Sequence, residues 1–280
     1  MTSTLVGAAL HDGAIGSLGD RCDLYLPRLR GSAYEGVTVR NVMRMCSGVA
    51  FSEQDDGRAD AARLQPALAS RRPGAILDLA CALPRAQWQG AVFNYSTVES
   101  CVLGAVVAAA TSRPLADYCA EKIWGPAGME ANGYWALEAD EGQELGGFGV
   151  SACLRDIGRF GLLVLEDGEA FSCRRVLPSG WRDLAGRPDC APTSFGRLKP
   201  GSRTGYGYQW WALPHGPTGI YAGAFFASGS FGHYIYVHPT ARVVAVIQSD
   251  WRQHEDLDAD AETWALLRTI LLARRPGPTS

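Results

Sequence analysis

From Gly205 to Asp250 the chain reads as four short runs, GYGYQWWAL, GIYAGAFFAS, GHYIYVHP and RVVAVIQSD, parted by glycine, proline and small turns. Aromatic and β-branched residues at this spacing predict neighbouring strands of an antiparallel meander. The tail AETWALLRTILLARR follows with apolar residues at helical spacing. It is expected to lie as an amphipathic helix over one face of that sheet.

The residues before 205 have a helical pattern instead. Thr2 to Leu10 form a small, apolar helix stopped by Gly13, and a helix this apolar belongs in a core. Thr38 is placed to cap a helix that reaches Cys46. Further helices are expected near 59–70, 74–82, 98–110 and 115–123, the last opened by Pro114. Another runs from a Ser151 cap to a stop at Gly168. No internal repeat divides the chain. The expected architecture is α/β in the α+β sense, a single domain over 1–280, with an opening helical piece over 1–30, a mainly helical region over 31–204, and a sheet with a closing helix over 205–280.

Hydrophobic residues make up 47% and charged residues 20%, enough apolar surface to exclude a disordered chain. A net charge of −3 offers no broad basic face to nucleic acid or anionic lipid. The eight cysteines lack CxxC spacing, and several sit in apolar runs such as SCVLGAVVAAA, so they read as reduced thiols. There is no basic n-region at the start and no apolar run long enough to span a bilayer, which predicts a soluble, cytoplasmic product. Neither a histidine cluster nor HExxH is present, so no metal or other cofactor is expected.

The most specific stretch is FNYSTVESCVLGAVVAAATSRPLADYCAEKIWGPAGME: a tyrosine in a small-residue loop, a helix, then a second helix closed by WGPAGM. It resembles the serine β-lactamase/penicillin-binding-protein superfamily, in particular its class C-like esterases and the 6-aminohexanoate-dimer hydrolase group. The resemblance continues in order through TVRNVMRMCSGVAF, GFGVSACLRDIGRFGLLVLEDG, GYGYQWW and GSFGHYIYVHP. It implies a β-lactamase/transpeptidase-like fold, an antiparallel sheet flanked by helices plus a helical subdomain, here with the N-terminal strands missing.

In that family the nucleophile is the serine of a Ser-x-x-Lys motif. A serine needs a base within hydrogen-bond reach, and the lysine one turn on, with a tyrosine, supplies it. Tyr95 matches the family tyrosine that moves the serine proton and later protonates the leaving group; a buried loop tyrosine with a bonded hydroxyl is the plainer alternative. Thr97 stands where the family often has asparagine. The place of the Lys-Thr-Gly box falls on Ala224-Phe225-Phe226, without a lysine, so recognition of a penicillin carboxylate is not expected. Ala227, Ser228, Gly229 and Ser230 would lay a strand edge against the site, with the Ala227 amide as oxyanion donor and Ser228 and Gly229 as substrate contacts. His233 is either a further contact or a strand-end residue facing solvent.

Lysine occurs only at Lys122 and Lys199, preceded three residues back by Cys119 and Gly196. No Ser-x-x-Lys therefore exists in the chain, and CAEK falls on a segment that matches a scaffold helix. No Gly-x-Ser-x-Gly elbow offers another route. The resemblance makes MTSTLVGAALHDG the rear of the nucleophile helix and puts the serine and its lysine just ahead of Met1. Two functions remain open on sequence. One is a serine hydrolase of small esters or amides, written here without its nucleophile and inactive in this form. The other is a non-catalytic relative that binds a ligand or partner. Segments 52–90 and 185–205 are expected to shape the pocket; Trp88, Phe93, Trp135, Trp210, Phe225 and Phe226 favour an apolar acyl or amide substrate, with a place in the core as the plainer reading for most of them. The expected partner is a small molecule, with no nucleic acid or membrane; oligomeric state is not readable.

Overall fold

The fold is that of a computed structural model, which describes residues 1–53, 61–187, 204–213 and 219–274. It begins with α1 (Thr2–His11), followed by α2 (Cys22–Tyr25) and a 3-10 turn over Pro27–Leu29. Helices α3 (Val39–Met43), α4 (Ala61–Ala69), α5 (Ala75–Ala82), α6 (Thr97–Thr111) and α7 (Leu115–Cys119) come next. Helix α7 runs on as a π-helical turn over Ala120–Trp124.

A two-stranded ribbon pairs β1 (Tyr134–Trp135) with β2 (Val150–Ser151). Two more helices follow, α8 (Leu154–Leu165) and α9 (Trp181–Gly186). The main sheet is β3 (Gly205–Tyr206), β4 (Trp211–Ala212), β5 (Phe225–Gly229), β6 (His233–His238) and β7 (Val243–Ile247). Its strands lie in chain order with every pair antiparallel, and α10 (Leu257–Arg274) closes the chain.

The meander is thus as the β-rich runs predict, with one refinement. GYGYQWWAL is two strands, because Gly207 N–H bonds to the Trp210 carbonyl and folds the run into a hairpin. The helix over 151–168 is also shorter than expected: Ser151 ends β2, and the cap position belongs to Cys153, whose side chain makes no capping bond. Thr38 does cap its helix, its hydroxyl accepting from Asn41 N–H at 3.3 Å, but regular structure stops at Met43.

Two apolar clusters build the interior. The larger joins α1, α6 and α8 to one sheet face, with Leu5, Val102, Leu103, Phe160, Trp181 and Phe225 fully buried. Helix α1 approaches α9 closely because Gly7 presents no side chain to the Trp181 ring. Helix α6 is likewise crossed at Gly104 by the backbone of Gly146. The smaller cluster lies under α10, where Leu267, Leu271 and Trp264 meet Phe226, Tyr234 and Tyr236. Seven cysteines are free thiols, and Cys190 lies outside the described residues. No single described helix is long and apolar enough to cross a membrane.

Candidate active site

Tyr95 leads into α6, and the local sequence explains how it is held. Ser96 adopts extended backbone and its hydroxyl accepts from Glu99 N–H, capping the helix. Asn94 ties the loop to the segment after α3: its N–H donates to the Met45 carbonyl at 2.8 Å and its amide to the Phe51 carbonyl at 2.9 Å. The Tyr95 ring stacks on Trp211 at 5.7 Å and meets the edge of Tyr206 at 6.0 Å, while Phe93 packs on both partners.

The Tyr95 hydroxyl has no hydrogen-bond partner among the described residues. Burial and the nearby Glu53 carboxylate push its pKa up to about 12. It is therefore a neutral donor at ordinary pH, with about one molecule in 10^5 ionised at pH 7. Glu53 also accepts from Thr97 N–H, the first amide of α6.

Strand β5 overhangs its neighbour. On the β4 side its pairing ends at Phe226 opposite Trp211, whereas on the β6 side it continues to Gly229 opposite His233. Residues 227–229 thus leave one edge without a strand among the described residues. Because Tyr95 stacks on Trp211, its ring lies at the point where this overhang begins.

The register also decides which amide faces outward. Leu213 N–H bonds to the Ala224 carbonyl, so Ala224, Phe226 and Ser228 turn their backbone groups toward β4. Ala227 turns toward β6, opposite Ile235. By this alternation the Ser228 amide faces the side that β4 leaves open and the Ala227 amide faces β6.

The hairpin tip after the overhang is braced from outside. Phe231 N–H donates to the His254 carbonyl at 3.2 Å, and Trp251 N–H to the Phe231 carbonyl at 3.1 Å. Ser249 hydroxyl donates to the Gly232 carbonyl at 2.7 Å, and Ser230 Oγ lies 2.8 Å from His254 Nε2.

The other sequence candidates disperse. Ser228, Gly229 and His233 are exposed at the free end of the hairpin, and Thr97 is half-buried at the start of α6. The aromatic set divides: Phe93 joins Tyr95, Trp210 and Phe225 belong to the main core, and Trp88 is 82% exposed. Cys119 is buried with its thiol pushed up to about 12, and Lys122 is paired with Asp12 at 2.9 Å and Glu121 at 2.8 Å. Neither is available as nucleophile or base, in keeping with a scaffold helix. Lys199, Gly196 and residues 54–60 and 188–203 of the two expected pocket segments lie outside the described residues. A cavity of about 280 Å³ between Arg182, Arg187, Phe225 and Thr240 includes no residue of the Tyr95 junction.

Two residues at the junction escaped sequence reasoning. Glu99, one turn into α6, is fully buried and accepts from the Ser47 hydroxyl, and burial pushes its carboxyl up to about 8. Gln209, at the turn between β3 and β4, bonds to α1 and α6 together. An acidic residue inside an apolar helix signalled the first; only contacts distant in sequence reveal the second.

The beta-lactamase family model matches residues 1–269, and the chain belongs to that family. It is 27% identical to the 6-aminohexanoate-dimer hydrolase of Paenarthrobacter ureafaciens, over 97% of this chain and 68% of that protein. A solved structure from Bacillus anthracis, described as a 6-aminohexanoate-dimer hydrolase, superposes with a TM-score of 0.78 at 25% identity, covering 97% of this chain and 71% of that one. Simvastatin synthase from Aspergillus terreus shares the fold, with a TM-score of 0.73 at 17% identity over 96% of this chain and 80% of that one.

Proposed function

We propose that the junction of the Tyr95 loop, the start of α1 and the β5 overhang is the acyl-transfer site of a hydrolase for small esters or amides. The observation that carries the reading is the Tyr95 hydroxyl, unpartnered among the described residues, on a ring stacked against Trp211, where the β4 pairing of β5 ends. The Ser228 N–H donates to the substrate carbonyl as it becomes an oxyanion, an interaction of about 3 kcal/mol per donor. Tyr95, neutral at pH 7, hands its proton to the departing alcohol or amine and takes up the one released by the attacking nucleophile. The relative named for the 6-aminohexanoate dimer supports a short linear amide as one substrate class.

The covalent step requires a serine with a base beside it, and the 280 residues contain no Ser-x-x-Lys. The alternative reading is a non-catalytic relative whose junction retains a ligand.

A fluorophosphonate probe, which reacts with activated serines, separates the two readings. The 280-residue protein is expected to stay unlabelled; labelling overturns the assignment. A form carrying Ser-x-x-Lys directly ahead of α1, from the in-frame codons there, is expected to label on that serine, with Tyr95→Phe slowing its ester turnover by about 10²-fold. In-frame codons without that motif favour the binding protein.

A further inference from the structure

The β3–β4 hairpin turns through Tyr208 and Gln209, and Gln209 takes a left-handed φ of +61°. Glycine or asparagine suits such a position; a longer side chain is strained there and persists where other contacts hold it. Gln209 has three. Its N–H donates to the Met43 carbonyl at the end of α3 at 3.2 Å. Its Oε1 accepts from Ser3 N–H at 2.9 Å, in the first turn of α1. Its Nε2 donates to Ser100 Oγ at 2.8 Å, in the first turn of α6. One side-chain amide therefore spans the starts of two helices, and α6 is the helix that Tyr95 leads into. Register places Gln209 where it would face Ser228 if the β4–β5 ladder continued, so the same turn that ends the ladder opens the strand edge.

We propose that Gln209 is a positioning residue that fixes the first turn of α1 relative to Tyr95 and the β5 edge. The proposal rests on the reading of this junction as the acyl-transfer site. The side chain touches no reacting atom; it acts through Ser3 and Ser100. Its length is what matters. Asparagine tolerates the backbone angle but falls one methylene short of both partners, and glycine relaxes the turn while deleting the bridge. Glutamate keeps an acceptor for Ser3 N–H, and Ser100 can rotate its hydroxyl to donate to it.

Amide hydrogen exchange on the 280-residue protein tests the bridge directly. Gln209→Gly and Gln209→Asn are expected to speed exchange at Ser3 by about 10-fold or more, with β6 and β7 unchanged, and Gln209→Glu to restore most of the protection. Unchanged exchange at Ser3 in both shortened variants overturns the proposal. So does an equal rise at every amide, which marks a general loss of stability. Turnover supplies the second readout, in a form carrying Ser-x-x-Lys ahead of α1. There Gln209→Gly is expected to lower kcat about 10-fold with KM within twofold, and Gln209→Glu to recover part of it. Faster exchange at Ser3 with unaltered kcat overturns the positioning role. If the unsubstituted form turns over no ester, the acyl-transfer reading fails, while the exchange result still decides whether the bridge exists.

Discussion

Tyr95 and Glu99 stand four residues apart, and burial holds both in their neutral forms. Tyr95 feels burial and the Glu53 carboxylate, both of which favour the neutral phenol. Replacing Glu53 by glutamine removes the charge and keeps an acceptor for Thr97 N–H. The ultraviolet titration of Tyr95, assigned by difference from Tyr95→Phe, is then expected to move to lower pH. Glu99 is an acid whose folded-state pKa, about 8, lies above its ordinary value of 4.5. Below pH 4.5 it is protonated in both states. Between 4.5 and 8 the unfolded chain ionises while the folded one does not, so stability falls as pH rises through this window. Glu99→Gln is expected to match the parent near pH 4 and to exceed it increasingly up to pH 8, by as much as about 4 kcal/mol. Thermal melts at pH 4, 6 and 8 check this; equal melting temperatures at pH 8 would refute a buried, neutral Glu99.

Among the elements, α6 is the one on which the others close. Its apolar run made it legible in sequence, and its observed limits, Thr97–Thr111, fall within one residue of those expected. Sequence could not show how near its neighbours come. A Cβ at Gly146 would lie 2.4 Å from the Ser100 carbonyl oxygen, and backbone cannot move aside as a flexible side chain does. Gly146→Ala is therefore expected to destabilise by about 2–3 kcal/mol in urea unfolding. Gly158→Ala on α8, where a Cβ meets nothing within 4 Å, provides the control and is expected to be neutral or slightly stabilising. Strand β5 shows the opposite balance. Its place in the meander follows from composition, whereas the direction of the Ala227 amide follows from pairing two neighbours away. An error of one residue there exchanges the outward donor for the inward one.

At the scale of the molecule, Trp181 joins the helical half to the sheet. Fully buried, it packs on Gly7 of α1 and, at a ring distance of 5.6 Å, on Tyr208 of the hairpin turn. Trp181→Ala is expected to cost about 3–5 kcal/mol and to uncouple α1 from the turn that carries Gln209. Chemical unfolding followed by circular dichroism, with exchange at Ser3, measures both effects. What the sequence determined by itself was the longer helices before residue 205, the antiparallel meander after it and the family resemblance. Each of these rests on local periodicity or on a motif contained in one continuous stretch. The tertiary structure alone decided that Ser228 rather than Ala227 faces the open edge, that Glu99 lies neutral behind Ser47, and that Gln209 links α1 to α6. These depend on register and on contacts between residues about 50 to 200 positions apart, whose geometry is set by packing and leaves no periodic trace along the chain.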